Sequence, residues 1–222
     1  MVKLILIDLD DTLLDFKRSE RCAIEMALEF AKIAPTDAAC TLYSEINDSL
    51  WKKLETGDIT RKELLTKRFE ILFEKLGVTF DKFEMQKKYM ASLSEQVHFI
   101  DGAIELLENL SKKYSLAIVS NGTKAVQNPR LDKSGIRKYF SHIFISEELG
   151  VNKPAREFFE KVLKTCNESR ENCVVIGDSE SSDILGGINA GIDTCWYNPK
   201  GYEAKYSVTH EIKDLMDLKK IL

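Results

Sequence analysis

Short apolar runs recur along the chain and predict the strands of a buried parallel sheet. The first run covers residues 2–7, and SLAIVS, HIFIS, CVVIG and TCWY follow at residues 115–120, 142–146, 173–177 and 194–197. A continuous apolar run is typical of a strand that is covered on both faces. Amphipathic segments such as GAIELLENLSKKY and AREFFEKVLKTC separate the runs. This alternation predicts an α/β fold, with a three-layer Rossmann-like core around a parallel sheet.

Residues 15–94 interrupt the alternation and predict a helical insertion. Apolar residues recur there at a spacing of four, in two series: Leu42, Ile46 and Leu50, and Leu65, Phe69 and Phe73. This spacing is the period of an amphipathic helix, and Gly57 and Gly77 are expected to end helices. We therefore expect an α/β core made of residues 1–14 and 95–222. Residues 15–94 are expected to form an all-helical domain of the four-helix-bundle type.

Three local predictions concern the ends of helices in the core. Residues 212–222 are predicted to form a last helix. Ser181 or Ser182 is predicted to cap a helix over DILGGINA, which Gly191 would end in the left-handed conformation. Pro154 is expected to open the helix that follows it, because a helix tolerates proline best in its first turn.

The composition indicates a globular protein and excludes several classes. Of the 222 residues, 44% are hydrophobic and 31% are charged, and the net charge is −4. This slight acidity argues against a nucleic-acid polymer as partner. No run approaches the roughly 18 apolar residues of a membrane span, and the N-terminal run ends in carboxylates, unlike a signal peptide. Five cysteines without a C-x-x-C pair favour reduced thiols, so we expect a cytoplasmic protein. The expected assembly is a monomer or a homodimer.

Polar side chains with catalytic potential follow the predicted strands, at the positions where open parallel sheets bind ligands. They are Asp8, Asp10 and Asp11 after the first strand, Ser120 and Asn121 at the end of the second, Asp178 after the fourth, and Lys153 and Asp183 close to helices. Since the chain has only three histidines, any metal is expected to be hard and bound by oxygen. A nucleophilic carboxylate repels a phosphate dianion unless Mg²⁺ and a lysine supply positive charge, so this set suits phosphate chemistry.

Asp8 and Asp10 lie two positions apart, so both can face one phosphate from the end of the strand. One carboxylate can then attack phosphorus while the other transfers protons. Asp8 and Asp178 suit a role as direct Mg²⁺ ligands, because this ion takes a few carboxylates and keeps several waters. Thr12, Ser120 and nearby backbone amides are candidate donors to the phosphoryl oxygens.

Four segments carry a resemblance to a known superfamily. They are DLDDTL at residues 8–13, SN at 120–121, KP at 153–154 and GDSESSD at 177–183. In this order they resemble the four motifs of the haloacid dehalogenase-like (HAD) phosphohydrolase superfamily, and the helical insertion resembles its type 1 cap. Three longer stretches, SNGTKAVQNPRL, ISEELGVNKP and GDSESSDILGGINAGIDTCWYN, are similar to the pyrimidine 5′-nucleotidase branch.

The resemblance implies a role for each matching residue. Asp8 would be the nucleophile that forms an aspartyl-phosphate, and Asp10 would protonate the leaving oxygen and then activate water. Ser120 and Asn121 would bind phosphate, and Lys153 would steady both Asp8 and the phosphate. The magnesium ligands would be the carboxylates of Asp8, Asp178 and Asp183, the last directly or through water, and the main-chain carbonyl of Asp10.

Two positions depart from the pattern of the superfamily. Asp11 stands where many relatives carry glycine, although aspartate also occurs there. Pro129 falls in the helix expected after the second motif, and it is predicted to kink or delay that helix. The sequence therefore does not place Gln127 and Arg130 on this helix with precision. Phe16, in the segment that leads into the insertion, could select the substrate by stacking on a base, or pack in a core.

The resemblance implies a Mg²⁺-dependent phosphomonoesterase that acts through an aspartyl-phosphate on small phosphorylated metabolites, with pyrimidine nucleoside 5′-monophosphates preferred. A sugar-phosphate phosphatase or a phosphomutase of the same superfamily is the alternative within this chemistry. A receiver-type phospho-signalling domain is the alternative from a different class. It would explain the acidic residues and the lysine, but it would leave the helical insertion unexplained.

Overall fold

The computed structural model describes residues 2–222, and within them six strands form one parallel sheet. The strands are β1 (Leu4–Ile7), β2 (Ser115–Ser120), β3 (His142–Ile145), β4 (Cys173–Gly177), β5 (Asp193–Tyr197) and β6 (His210–Ile212). Their spatial order is β3-β2-β1-β4-β5-β6, and every neighbouring pair is parallel. The order reverses beside β1, which is where doubly wound sheets bind their ligands. The predicted α/β fold is confirmed.

Helices connect and follow these strands. In chain order they are α1 (Phe16–Phe30), α2 (Asp37–Glu55), α3 (Arg61–Leu76), α4 (Lys82–Ser94), α5 (Ala103–Leu110), α6 (Lys124–Ser134), α7 (Ser146–Leu149), α8 (Arg156–Cys166), α9 (Leu185–Ala190) and α10 (Leu218–Ile221). Among the described residues, no helix is both long and apolar enough to cross a membrane.

Strand β1 explains why the sheet has helices on both faces. Ile5 and Ile7 enter one apolar core, which includes residues of α5, α6 and α10. Leu4 and Leu6 enter a second core, which includes residues of α8 and α9. Side chains alternate between the faces of a strand, and each of these four is at most 1% exposed. Burying one such side chain stabilises the fold by about 1.5–3 kcal/mol, so a short strand with no polar residue suffices as the centre of the core.

The chain divides into two compact units. One consists of the residues up to Asp15 together with Val97–Leu222, and the other is Phe16–Gln96. The second unit contains α1–α4, and its helix ends follow local sequence signals. Thr60 and Glu63 form a capping box at the start of α3, and Gly77 ends that helix with φ 65°.

The interior of the helical unit combines aromatic rings with a buried arginine. The Tyr43 ring stacks on Phe69 with 5.4 Å between centroids, and Tyr89 lies within 5.7 Å of both rings. The guanidinium of Arg68 lies 4.6 Å from the centroid of the Tyr89 ring. Phe16 is the first residue of α1 and is half-buried.

Two of the local predictions are wrong. Residues 212–222 form no single helix, because His210–Ile212 pairs with β5 as an edge strand and a 3-10 turn at Leu215–Asp217 precedes the short α10. Neither serine of the predicted pair caps DILGGINA. A π-helical turn at Glu180–Ile184 precedes α9 instead, and the hydroxyl of Ser179 accepts the N–H of Ser182.

The two proline predictions also need correction. Pro129 does not delay the helix after the second motif, since α6 begins at Lys124 and continues through Pro129 to Ser134. Gln127 and Arg130, on either side of the proline, both contact the Asp10 side chain, and these contacts hold the helix. Pro154 lies just before α8, whose first residue is Arg156.

Candidate active site

The sheet brings three carboxylates together at the ends of β1 and β4. These strands are neighbours, with Ile7 opposite Ile176, so Asp8 and Asp178 both leave the sheet at the same edge, Asp178 one position beyond the residue opposite Asp8. The π-helical turn after β4 returns Asp183 to the same place. Asp8, Asp178 and Asp183 each offer an oxygen within 4.8 Å of the others. The structure thus contains the predicted meeting of these residues at one edge of the sheet.

The ammonium group of Lys153 joins two of these carboxylates. Its Nζ donates to Oδ1 of Asp8 at 2.6 Å, to Oδ1 of Asp183 at 2.5 Å and to the carbonyl of Val119 at 2.7 Å. All three ammonium hydrogens therefore have acceptors, and the side chain is 1% exposed. A buried, fully hydrogen-bonded cation of this kind fixes the orientation of the carboxylates that it contacts.

Asn121 holds the backbone of Lys153 in place. Its side-chain Nδ2 donates to the Lys153 carbonyl, and its Oδ1 accepts the Lys153 N–H, both at 2.9 Å. This pair of bonds locks the end of β2 to the segment before α8. The side-chain amide of Asn121 thus commits one donor and its oxygen to the lysine segment. The predicted contact of Asn121 with phosphate stays a prediction.

The charges of the cluster do not balance. Burial raises the pKa of Asp8 to about 8, with Asp183 and Asp10 adding to the rise and Lys153 opposing it. Burial also raises the pKa of Asp178 well above its ordinary value, with Asp8 and Asp183 as further causes. For Lys153, burial acts to lower the pKa, but Asp183 and Asp8 outweigh it and the pKa rises. Three carboxylates against one ammonium leave two negative charges when all are ionised.

These residues fit a hard divalent cation. Their ligand atoms are carboxylate oxygens, the donors that Mg²⁺ prefers, and their excess charge matches that of the ion. Asp8 and Asp183 are buried while Asp178 is half-buried, so the cluster opens to solvent on one side. This opening suits an ion that retains several waters.

Thr12 is bonded to the third carboxylate. Its hydroxyl donates to Oδ1 of Asp178 at 3.1 Å and accepts the Asp178 N–H at 3.0 Å. The hydroxyl hydrogen of Thr12 therefore points at Asp178. The predicted donation from Thr12 to a phosphoryl oxygen stays a prediction, and the observed contact orients a candidate metal ligand.

Asp10 lies outside the three-carboxylate cluster and is held by helix α6. Nε2 of Gln127 donates to Oδ2 of Asp10 at 2.6 Å, and the guanidinium of Arg130 donates to Oδ1. The same Nε2 donates to the hydroxyl of Ser120 at 2.8 Å. The sequence does not assign Gln127 and Arg130 to the site. The signal that could have found them is their spacing of three residues, which places both on one face of a helix.

Asp11 explains one departure from the superfamily pattern. Its φ is 57°, in the left-handed region where glycine is the usual residue. Aspartate and asparagine enter this region more readily than other residues with a side chain. Aspartate can therefore adopt the backbone conformation of the turn after β1 without displacing the neighbouring carboxylates.

Comparison with known proteins gives consistent matches over most of the chain. A model of the haloacid dehalogenase-like hydrolase family matches residues 2–191. The pyrimidine 5′-nucleotidase PynA of Streptococcus pneumoniae is 39% identical over 220 residues, which cover 97% of this chain and 93% of that protein. The pyrimidine 5′-nucleotidase YjjG of Escherichia coli is 33% identical over 224 residues, covering 96% of each. The crystal structure of the HAD-hydrolase YfnB from Bacillus subtilis, bound to magnesium, has a TM-score of 0.94 at 39% identity and covers 100% of this chain and 98% of that one.

Proposed function

Because the chain belongs to the haloacid dehalogenase-like hydrolase family and is an enzyme, we propose that it hydrolyses phosphate monoesters with Mg²⁺, acting on nucleoside 5′-monophosphates and preferring pyrimidine ones. The observation that carries the proposal is the Asp8 carboxylate, which directly follows β1 and contacts Lys153 beside two further carboxylates. Two relatives named as pyrimidine 5′-nucleotidases, at 39% and 33% identity, support the nucleotide preference.

In the first half-reaction, a carboxylate oxygen of Asp8 attacks phosphorus and forms an aspartyl-phosphate. The bond from phosphorus to the leaving oxygen breaks, and its electron pair goes to that oxygen, which takes a proton from Asp10. Lys153 keeps the nucleophile in one orientation. The hydroxyl of Ser120 and the nearby backbone amides donate to the phosphoryl oxygens.

In the second half-reaction, Asp10 takes a proton from a water whose oxygen attacks phosphorus. The bond between phosphorus and Asp8 breaks, which returns the Asp8 carboxylate and releases inorganic phosphate, and Asp10 again carries its proton. Asp8, Asp178 and Asp183, with the main-chain carbonyl of Asp10, would hold Mg²⁺, which when bound supplies positive charge to the phosphoryl group. Thr12 orients Asp178 for this task.

The test is a panel of substrates with the enzyme and Mg²⁺, ranked by kcat/KM from phosphate release. We expect steady multiple turnover and pyrimidine nucleoside 5′-monophosphates ahead of sugar phosphates by about tenfold or more. Sugar phosphates ahead of all nucleotides would overturn the nucleotide assignment. A single stoichiometric phosphorylation without turnover would support the receiver-type alternative, and transfer to a sugar hydroxyl would support a phosphomutase.

The nucleophile is tested by Asp8→Asn, because a neutral amide is a poor nucleophile. Asp193→Asn is the matched control, since Asp193 is exposed at the start of β5. We expect Asp8→Asn to abolish turnover and to leave no acid-stable phosphoprotein detectable by mass spectrometry. The control variant should keep both the turnover and the phosphoprotein. Near-normal kcat in Asp8→Asn would overturn the mechanism.

A further inference from the structure

We propose that Gln127 and Arg130 are positioning residues for proton transfer: they hold the Asp10 carboxylate and direct the Ser120 hydroxyl hydrogen toward the phosphoryl group. We call Gln127 and Arg130, both on α6, the Asp10 clamp. The inference rests on the proposed function, because it requires Asp10 as the acid that protonates the leaving oxygen.

Both oxygens of the Asp10 carboxylate are held by the clamp. Gln127 Nε2 donates to Oδ2 at 2.6 Å, and Arg130 donates to Oδ1. The two clamp residues also contact each other, with Arg130 donating to Oε1 of Gln127 at 3.0 Å. A carboxylate held at both oxygens cannot rotate freely about its last bond, so its position relative to the β1 end is set by α6.

The orientation of the Gln127 amide follows from the chemistry of its partners. Arginine has only donors, so it must face the amide oxygen, whereas the Asp10 Oδ2 atom is an acceptor and so faces the amide nitrogen. The nitrogen has two hydrogens, and the second one goes to the Ser120 hydroxyl at 2.8 Å. One amide group therefore sets the positions of Asp10 and Ser120 together.

This arrangement also determines what Ser120 can do. Its hydroxyl oxygen accepts the Gly122 N–H at 3.1 Å and the Gln127 Nε2 at 2.8 Å. A hydroxyl has two acceptor lone pairs and one hydrogen, so only donation is left. Ser120 is 1% exposed at the end of β2, and a phosphoryl oxygen is an acceptor. The Gln127 contact thus makes Ser120 a donor to the substrate.

Gly122 shows that the backbone leaves room for the clamp. A Cβ atom on residue 122 would lie 2.6 Å from Cδ of Gln127, far closer than two carbon atoms approach. Any side chain at position 122 would push Gln127 away from Asp10. The glycine that follows Ser120 and Asn121 is required here because Gln127 passes over it.

The exposure of Gln127, Arg130 and Asp10 favours a positioning role for the clamp over a purely structural one. Arg130 and Gln127 are 0% and 1% exposed, whereas the Asp10 side chain is 26% exposed. A buried pair therefore holds a carboxylate whose outer side faces solvent and is open to a substrate. A structural ion pair needs no such access.

The test compares two substrates of the full-length enzyme: uridine 5′-monophosphate, whose leaving alkoxide needs a proton, and p-nitrophenyl phosphate, whose nitrophenolate leaves without one. kcat/KM covers the steps up to departure of the first leaving group, so the later role of Asp10 with water does not enter. The readout is kcat/KM for uridine 5′-monophosphate divided by kcat/KM for p-nitrophenyl phosphate. Any loss of phosphate binding that is common to both substrates cancels in this ratio. The variants are Gln127→Met, Arg130→Met and Gly122→Ala.

The control is Arg137→Met, because Arg137 donates to the side chains of Asp132 and Asn128, which lie on α6 outside the clamp. We expect each clamp variant to lower the ratio by about 10- to 100-fold, and the control by less than about twofold. Arg130→Lys, which keeps a charged donor, should recover part of the loss. In a Gln127→Ala background, adding Gly122→Ala should lower the ratio by less than about twofold, since nothing is left to displace. If Arg130→Met does not fold, Gln127→Met and Gly122→Ala carry the test.

Asp10→Asn in the same assay separates the clamp from the proposed function. If Asp10→Asn lowers the ratio but Gln127→Met and Gly122→Ala leave it unchanged, the clamp proposal is overturned and the proposed function stands. If Asp10→Asn itself leaves the ratio unchanged, the role of Asp10 in the proposed function is wrong and the clamp proposal is overturned with it. Calorimetric Mg²⁺ binding should be unchanged in the clamp variants, and its loss would indicate a disrupted carboxylate cluster instead.

Discussion

Gly177 ends β4 without a side chain, and the Asp183 side chain fills the space that a Cβ atom would take there. A Cβ atom on residue 177 would lie 2.6 Å from the Cβ of Asp183 and would overlap its carboxylate. That carboxylate accepts from Lys153 Nζ at 2.5 Å and from the Ser179 N–H at 3.1 Å. The glycine and the last aspartate of GDSESSD are thus two parts of one close contact.

Gly177→Ala is therefore expected to displace Asp183 from the cluster. We expect the Mg²⁺ affinity to fall by about tenfold and the free energy of unfolding to drop by about 1–3 kcal/mol, the usual range for overpacking. Calorimetry and denaturant unfolding measure the two effects. Gly122→Ala is the matched control, since it displaces Gln127 and should leave Mg²⁺ affinity unchanged. Equal Mg²⁺ affinity in Gly177→Ala and the wild type would contradict the prediction.

Lys153→Met removes the buried cation that joins Asp8 and Asp183. The two carboxylates then lose their compensating charge, so the metal-free protein should lose about 3–5 kcal/mol of unfolding free energy. Mg²⁺ should restore part of this loss, because it supplies the missing positive charge. Lys161→Met, on α8, is the control: Lys161 pairs with Glu157 at the surface and its loss should cost less than about 1 kcal/mol. Similar losses in the two variants would show that the buried cation has no special role.

The stability of the metal-free protein should fall as pH rises toward about 8. In the folded state the pKa of Asp8 is raised to about 8, against 3.8 for the free side chain. Between these values the folded state holds a proton that the unfolded state has lost, so the stability present at low pH is lost as pH rises through the folded pKa. Because Mg²⁺ competes with this proton for Asp8, adding Mg²⁺ should raise Tm more at pH 8 than at pH 6.

Asp8→Asn is the control for the pH dependence, because an amide does not titrate. In this variant the fall of Tm with pH should be smaller than in the wild type. A Tm that rises from pH 5 to pH 8 in the metal-free wild-type protein would contradict the prediction.

Asn47 in the helical unit connects two buried charges. Its Nδ2 donates to Oε1 of Glu20 at 2.7 Å, and its Oδ1 accepts from Arg68 at 3.0 Å. Asn47→Leu should remove both bonds and lower the free energy of unfolding by about 3–5 kcal/mol, because it breaks the hydrogen-bonded link between the buried charges. Glu70→Gln, which breaks an exposed pair with Lys82, is the control and should hardly change Tm. Equal Tm values for the two variants would contradict this account.

Much of the site can be predicted from the sequence because local apolar runs mark the strands whose ends carry the site residues. Asp8, Asp178 and Ser120 stand at strand ends that the apolar runs delimit to within two residues. The predicted C-terminal helix is wrong because His210–Ile212 is a strand only through its pairing with β5. Edge pairing is a tertiary contact, and three residues carry too little periodicity to reveal it.

The hydrogen bonds of the neutral polar side chains are not predictable in the same way. The sequence predicts Thr12 and Asn121 as phosphate contacts, and their observed partners are Asp178 and the backbone of Lys153. Hydroxyl and amide groups accept many partners, so their chemistry alone does not select one.

The amino-acid order is enough to specify the parallel α/β core, the helical insertion and the acidic residues at the strand ends. Buried strands require apolar runs, so the charged groups are confined to the ends of these runs. The contact of Gln127 and Arg130 with Asp10, 117 and 120 positions away in the chain, depends instead on the tertiary structure. Helix periodicity places both residues on one face, but it does not say which strand end that face meets. The packing of α6 against the sheet sets that meeting.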